Sequence, residues 1–393
     1  MDTTIKPAVA NKTVLRIAVG AMFFMAGLCF ASWTSRIVTI QHTLGLSYAA
    51  LGAVLFSLPV GLMCSLPFSG LVITKIGSKR LLLGAALFYG LALVSLGLAQ
   101  NIFQLVISLF CYGFAGNTIN ISVNTQAVTA ESMYSKPIMA SFHGLWSLGG
   151  FTGAAIGIFM IGHGVSPFHH FLAILVLVII GVIISSGYLY NDAATPKNTS
   201  SSKISFQTII RLFVPLFTLG TIAFCSMICE GAMFDWSNIY LKKVVLAPTA
   251  LVGVGFTAFM STMALGRWFI ADRFAHRYGL KLTLQVSGML TVTGLLTAVA
   301  FPYFYTTIAG FLLVGAGVCA VVPMVYSAAG KSKVMSAGVA ITVVSTIGFI
   351  GFLVGPPVIG FIAGLATLRA SFIFVAVMGV SVVLLSSRAK LDS

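Results

Sequence analysis

Twelve long apolar runs, separated by short polar breaks, set what this chain can become. They lie near residues 13–37, 47–73, 80–99, 103–130, 137–162, 168–190, 207–240, 249–272, 280–300, 304–328, 335–364 and 368–387. A helix needs about 20 consecutive apolar residues to cross a bilayer, more when tilted. The sequence therefore predicts an all-α polytopic membrane protein with twelve transmembrane helices. Only 7% of residues are charged, against about 25% in soluble chains, so no aqueous fold can hide this much apolar surface. The first run follows Lys6, Lys12 and Arg16 and is too long and too aromatic for a cleaved signal peptide, so it is expected to stay as the first helix.

The net charge of +15 suggests a nucleic-acid partner until its distribution is followed. With the N-terminus placed in the cytoplasm, all of the 22 Lys and Arg fall on the inner side except Arg36, Lys242, Lys243 and Arg369. That is the positive-inside bias, which puts both termini in the cytoplasm and leaves no need for an acidic or nucleic-acid partner. The six cysteines (Cys29, Cys64, Cys111, Cys225, Cys229, Cys319) all fall within predicted spans, where they serve as small apolar residues, and no disulfide or metal site is expected from them.

One polar break stands out for its length. Residues 191–206 are rich in Ser, Asn and Thr with one Pro, which reads as a flexible cytoplasmic linker. It divides the chain into an N-terminal six-helix bundle (1–190) and a C-terminal one (207–393). The halves resemble each other: Leu51–Ser57 reads against Leu251–Thr257, Ala31-Ser-Trp33 against Phe234-Asp-Trp236, and the glycines Gly149 to Gly153 against Gly348 to Gly351. Secondary transporters are commonly built by such duplication, with the site between the repeats at mid-membrane.

Two loop segments carry a family resemblance. Gly70-Leu-Val-Ile-Thr74-Lys75-Ile-Gly77-Ser-Lys79-Arg80 follows the second span, and Gly266-Arg267 with Asp272-Arg273 and Gly279 follows the eighth. Both are similar to the loop signature of the major facilitator superfamily (MFS). Ala31-Ser-Trp33-Thr-Ser-Arg36, His143-Gly-Leu-Trp146, Glu230-Gly, Asp235-Trp236 and Phe352-Leu-Val-Gly-Pro-Pro357 resemble a bacterial YbjJ-like group within it, distantly related to fucose permease. The resemblance implies the MFS fold, a bacterial inner-membrane location, a monomer, and inner-gate roles for Gly70, Gly77, Arg80, Gly266, Arg267, Asp272, Arg273 and Gly279. Thr74 stands where the family usually has Asp, so an Asp-mediated inner-gate contact is expected only in the second half, through Asp272.

Of seven acidic residues, only Glu230 and Asp235 are placed within, or at the far end of, a predicted span. A carboxylate in hydrocarbon costs roughly 2.5–3.5 kcal/mol on insertion scales and is kept where it has a partner or a watery path. Glu230, beside Gly231, reads as a proton-coupling and solute-binding residue; the alternative is a structural carboxylate held by a basic neighbour. Asp235 and Arg36 lie near the outer ends of spans seven and one, so they read either as an outer-gate pair or as two residues facing water. Glu230 and Asp235 are about 140° apart on an ideal helix and need not share a site.

Asn117, Asn120 and Asn124 fall on one face of span four, either lining a polar solute's cavity or acting as interhelical glue. His143 is a second candidate proton site, or a packing histidine. Its neighbour Trp146 is a candidate for solute contact. Trp33 and Trp236 read as stacking platforms for a sugar ring or as interfacial anchors. No phosphate-binding loop, metal-ligand cluster or nucleophile–base pair is present, so no cofactor and no enzymatic reaction are expected. The expected function is proton-coupled carriage of a small polar solute, sugar-like by the resemblance to fucose permease and the asparagine face. Efflux of amphipathic compounds and a transport-dead receptor are the alternatives.

Overall fold

The computed structural model describes residues 11–134, 138–191, 206–330 and 337–388. The linker proposed for 191–206 falls almost wholly outside them. Twelve helices long and apolar enough to cross a membrane make up the described residues. Span one is Lys12–Thr43, span two Tyr48–Ile76, span three Ser78–Leu98 and span four Ile102–Glu131. Spans five and six are Met139–Gly162 and Pro167–Ser186, and span seven is Phe206–Lys243. Span eight covers Thr249–Ile270, span nine Ala271–Ala300, span ten Phe304–Gly330, span eleven Ala337–Leu365 and span twelve Leu368–Arg388.

Local chemistry sets the helix starts. The side chains of Asn11, Ser47, Asn101 and Ser166 each accept from a backbone N–H two or three residues on, the usual service of a short polar N-cap. Glu131 does the same from a distance: its carboxylate accepts from the N–H groups of Ile138 and Met139 at 2.7 Å, capping span five from the end of span four. It borders a basic loop, as its sequence position suggests, but its work is on backbone.

The duplication is visible in the backbone. Gly149 lies against the carbonyl of Phe24 where spans one and five cross, and Gly351 lies against the carbonyl of Phe224 where spans seven and eleven cross. Likewise Gly113 meets Leu58 between spans two and four, and Gly315 meets Phe259 between spans eight and ten. Each approach leaves no room for a Cβ. Small residues let membrane helices close to this distance, which replaces the hydrophobic drive lost in lipid.

The two sequence halves touch at the end of the molecule where span one finishes, here called distal, and again near the other end, where Gly144 of span five lies against Trp268 of span eight. At the distal end Gly52 of span two packs on Pro356 and Gly360 of span eleven. Asn238 of span seven donates to the Thr34 carbonyl of span one at 3.3 Å, and Gly253 of span eight rests on Ile158 of span five.

Two expectations change here. Trp33 and Trp236 are neither interfacial anchors nor solute platforms, being only 1% and 0% exposed and absent from the cavity wall. The reason is helix length. Span one continues to Thr43 and span seven to Lys243, so at about 1.5 Å per residue each indole sits well inside its helix end. Neither indole N–H has a hydrogen-bond partner among the described residues.

Candidate functional site: a central cavity between the two halves

A cavity of about 350 Å³ lies between the halves and is lined from both. Span seven contributes Met227, Glu230, Gly231, Phe234 and Asp235. Their spacing of three, one, three and one residues is a single wide helical stripe. Glu230 and Asp235 therefore share the site after all: their separation spans the arc that the cavity wraps.

Glu230 is held by Arg267. The guanidinium Nη2 donates to Glu230 Oε1 at 3.3 Å, and Nε donates to the Cys319 carbonyl at 3.4 Å. The sequence reading placed Gly266 and Arg267 in an inner-gate loop; the structure corrects this. Both lie within span eight, in a π turn from Gly266 to Ile270. A π turn adds a residue to the helical repeat and turns a side chain that an α-helix would aim elsewhere, and such turns are frequent at functional sites. Gly266 is buried against Cys319 of span ten, which lets the widened turn sit close to its neighbour.

Of the two readings of Arg36 and Asp235, the gate pair is not formed. Arg36 is 2% exposed and donates from Nε to His170 Nδ1 at 3.1 Å and from Nη2 to the Val165 carbonyl at 2.8 Å. It ties span one to the start of span six. Asp235 faces the cavity instead. Both residues lie deeper than helix ends, for the same reason as Trp33 and Trp236.

The asparagine face divides. Asn117 and Asn120 line the cavity. The Asn117 amide also donates to Ser65 Oγ at 2.7 Å and to the Leu62 carbonyl at 3.2 Å, joining spans four and two, so lining and glue coexist in one side chain. Asn124 does not reach the cavity wall, although Val123 beside it does, and it donates back to the Asn120 side chain at 2.9 Å.

His143 and Trp146 of span five both reach the wall. Trp146 begins a run of rings that crosses from one half to the other. Trp146 and Phe30 have centroids 5.8 Å apart, Phe30 and Phe234 4.9 Å, Phe234 and Phe352 6.2 Å, and Phe352 and Phe349 6.3 Å. Tyr89 and Tyr112 stack at 4.2 Å and also line the cavity. The tyrosines were missed, although Tyr112 and Gly113 lie one turn back along the stripe that Asn117 and Asn120 mark. Nothing in the sequence brings Tyr89 of span three to them.

The remaining gate candidates lie away from the cavity. Gly70 and Arg80 are exposed, and so is Arg273, which donates to the Phe269 carbonyl at 3.3 Å. The Asp272 side chain lies outside the described residues. Gly77 and Gly279 are turns with positive φ, one before span three and one inside Ala271–Ala300, where it separates a short leading helix from the long part of span nine. No group of three or more metal-binding side chains occurs among the described residues.

Comparison with known proteins agrees with this architecture. The Major Facilitator Superfamily model matches residues 17–270. An uncharacterized MFS-type transporter of Yersinia pestis is 31% identical over 374 residues, covering 95% of this chain and 94% of that protein. Membrane protein MosC of Rhizobium meliloti is 30% identical over 375 residues, covering 95% and 89%. Among solved structures, a mutant of the nucleoside transporter NupG superposes with a TM-score of 0.79 at 13% identity, over 96% of this chain and 100% of that one. A bacterial homologue of the human lysosomal transporter Spinster, in an inward-facing unoccupied conformation, gives 0.71 at 14% identity, over 96% and 97%. At these identities the structures speak for the fold alone.

Proposed function

The chain belongs to the Major Facilitator Superfamily of transporters, and on that premise we propose that it carries a small polar solute through the central cavity by alternating access. The observation that carries this reading is the buried Glu230–Arg267 pair in the cavity wall, formed between spans seven and eight at 3.3 Å. An ion pair removed from water is costly unless its geometry is good and its other donors are satisfied. A single contact of this length leaves carboxylate capacity free for a solute or a proton.

We place the protein in the bacterial inner membrane, acting as a monomer with both termini in the cytoplasm, so the distal seam closes the outer side. The proton gradient drives the cycle. Glu230 accepts a proton, Arg267 is released, and the polar wall rearranges around the solute; His143, also on the wall, is the second proton candidate. Aromatic faces beside amide edges suit a ring-bearing polar molecule, and a sugar-like solute fits the resemblance to the fucose-permease side of the family. A second reading, efflux of amphipathic compounds, is favoured by the ring wall from Trp146 to Phe349.

The test is a solute-induced pH change in proteoliposomes, with sugars and amphipathic dyes, comparing wild type with Glu230→Gln. External alkalinisation with one solute, lost in the variant while binding persists, is the expected result. An unchanged signal in the variant removes Glu230 from coupling. Binding without any counterflow would instead favour a receptor.

A further inference from the structure

The cavity holds a second carboxylate that the pairing of Glu230 and Arg267 leaves unused. Asp235 lines the wall and, among the described residues, has neither a hydrogen bond nor an ion-pair partner. The two arginines of this region, Arg36 buried and Arg267 half-buried, are committed elsewhere, Arg267 to Glu230 and the Cys319 carbonyl, Arg36 to His170 and the Val165 carbonyl. Charge within the wall therefore does not balance. Glu230 and Arg267 cancel, and Asp235 remains.

An unpaired carboxylate in an apolar site is expensive to keep. Other residues lining the same cavity show what would offset that cost. The neighbouring Phe234 sits at the centre of the ring run, with Phe30 at 4.9 Å and Phe352 at 6.2 Å, and Trp146 beyond Phe30 at 5.8 Å. A cation is attracted by ring faces as well as by the carboxylate, and most strongly where water is excluded. A neutral polyol can donate hydroxyls to the carboxylate and stack on the rings, but it leaves the negative charge uncompensated. An anion is repelled by carboxylate and ring faces alike.

We propose that the solute carries a positively charged group, a protonated amine or quaternary ammonium, which docks on Asp235 within the aromatic wall. This rests on the reading of the cavity as the solute site. It narrows the substrate class: the cation meets Asp235 and the rings, while the polar remainder meets the Glu230–Arg267 pair and the asparagine edge.

The experiment measures charge selection inside the cavity directly. A reporter cysteine replaces Ala26 in one variant and Met227 in another, both lining positions, with the exposed Cys64 and half-buried Cys111 changed to Ser. Full-length protein is labelled with three methanethiosulfonates: a neutral methyl reagent, a trimethylammonium-ethyl cation and a sulfonatoethyl anion. Rates are normalised to a free thiol, and two reporters guard against one that fails to fold. The expected result is labelling by the neutral reagent, the cation reacting at least about tenfold faster than the anion, and that ratio falling at least fivefold on Asp235→Asn. A ratio indifferent to the substitution, as when Asp235 is already protonated, overturns the proposal, and so does faster reaction of the anion. Failure of the neutral reagent at both reporters overturns instead the reading of the cavity as a solute site, and the cation proposal with it.

Discussion

Gly77 and Gly279, 202 residues apart, hold the same rare backbone conformation, φ 81° and ψ 162° at one, φ 82° and ψ 164° at the other. Essentially only glycine enters this region. Each makes the sharp reversal between the second and third helices of its half, so the duplicated turn is written as a duplicated glycine.

Alanine at either position is therefore expected to cost about 1–3 kcal/mol. The two costs should add, because the glycines belong to separate halves with no shared partner. Thermal unfolding in detergent checks this. Equal melting temperatures for wild type, Gly77→Ala and Gly279→Ala would mean that the turns do not hold this geometry.

A second duplicated position lacks its glycine. Gly45 (φ 61°) and Leu246 (φ 58°) both take left-handed backbone just after the first helix of each half. A side chain pays roughly 1–2 kcal/mol to stand there, and Leu246 is 77% exposed, with little packing in return. Leu246→Gly should stabilise the protein by up to about 1 kcal/mol, the strain relief being partly offset by greater freedom in the unfolded chain. A lower melting temperature would show that the exposed leucine has a role, such as contact with lipid, outweighing its strain.

The span count, the repeat and the presence of a carboxylate, Glu230, within an apolar span were legible because they rest on hydropathy, spacing and the rarity of charge in an apolar run. Depth and rotation were not. Span one runs six residues past its expected end at 37, and that extension carries Trp33 and Arg36 from an imagined boundary into the interior. The Glu230–Arg267 partnership was hidden for another reason. The two are 37 residues apart, and a π turn alters the phase that α-helical counting assumes. Asn124 shows the limit most simply: periodicity puts it on the face of Asn117, and only packing shows that Val123, not Asn124, reaches the cavity wall.

Breaking the buried pair from one side should be worse than removing it. Arg267→Ala leaves Glu230 without its cation and is expected to cost about 3–5 kcal/mol, whereas Arg267→Ala with Glu230→Gln should recover much of that loss, because no charge is then stranded. A double-mutant cycle on unfolding in detergent reads the difference. If the double variant is no more stable than Arg267→Ala, the two side chains are not coupled and the 3.3 Å contact contributes nothing.

The distal seam makes a prediction about conformation rather than stability. A Cβ on Gly52 would lie 2.7 Å from the Pro356 carbonyl oxygen, and one on Gly360 would lie 2.6 Å from that of Tyr48. Both obstacles are backbone, so neither yields by a change of rotamer. Gly52→Val and Gly360→Val should each disfavour the closed seam by about 1–3 kcal/mol, the usual cost of overpacking. That is a shift of roughly five- to 150-fold toward a distally open state. A cysteine at Leu55, which lines the cavity below the seam, should then react faster with a reagent that cannot cross the membrane and is supplied on the distal side only. The whole effect depends on the seam being the barrier. Unchanged reactivity in both valine variants, with each still folded, would place the distal closure elsewhere, at Asn238–Thr34 or Gly253–Ile158.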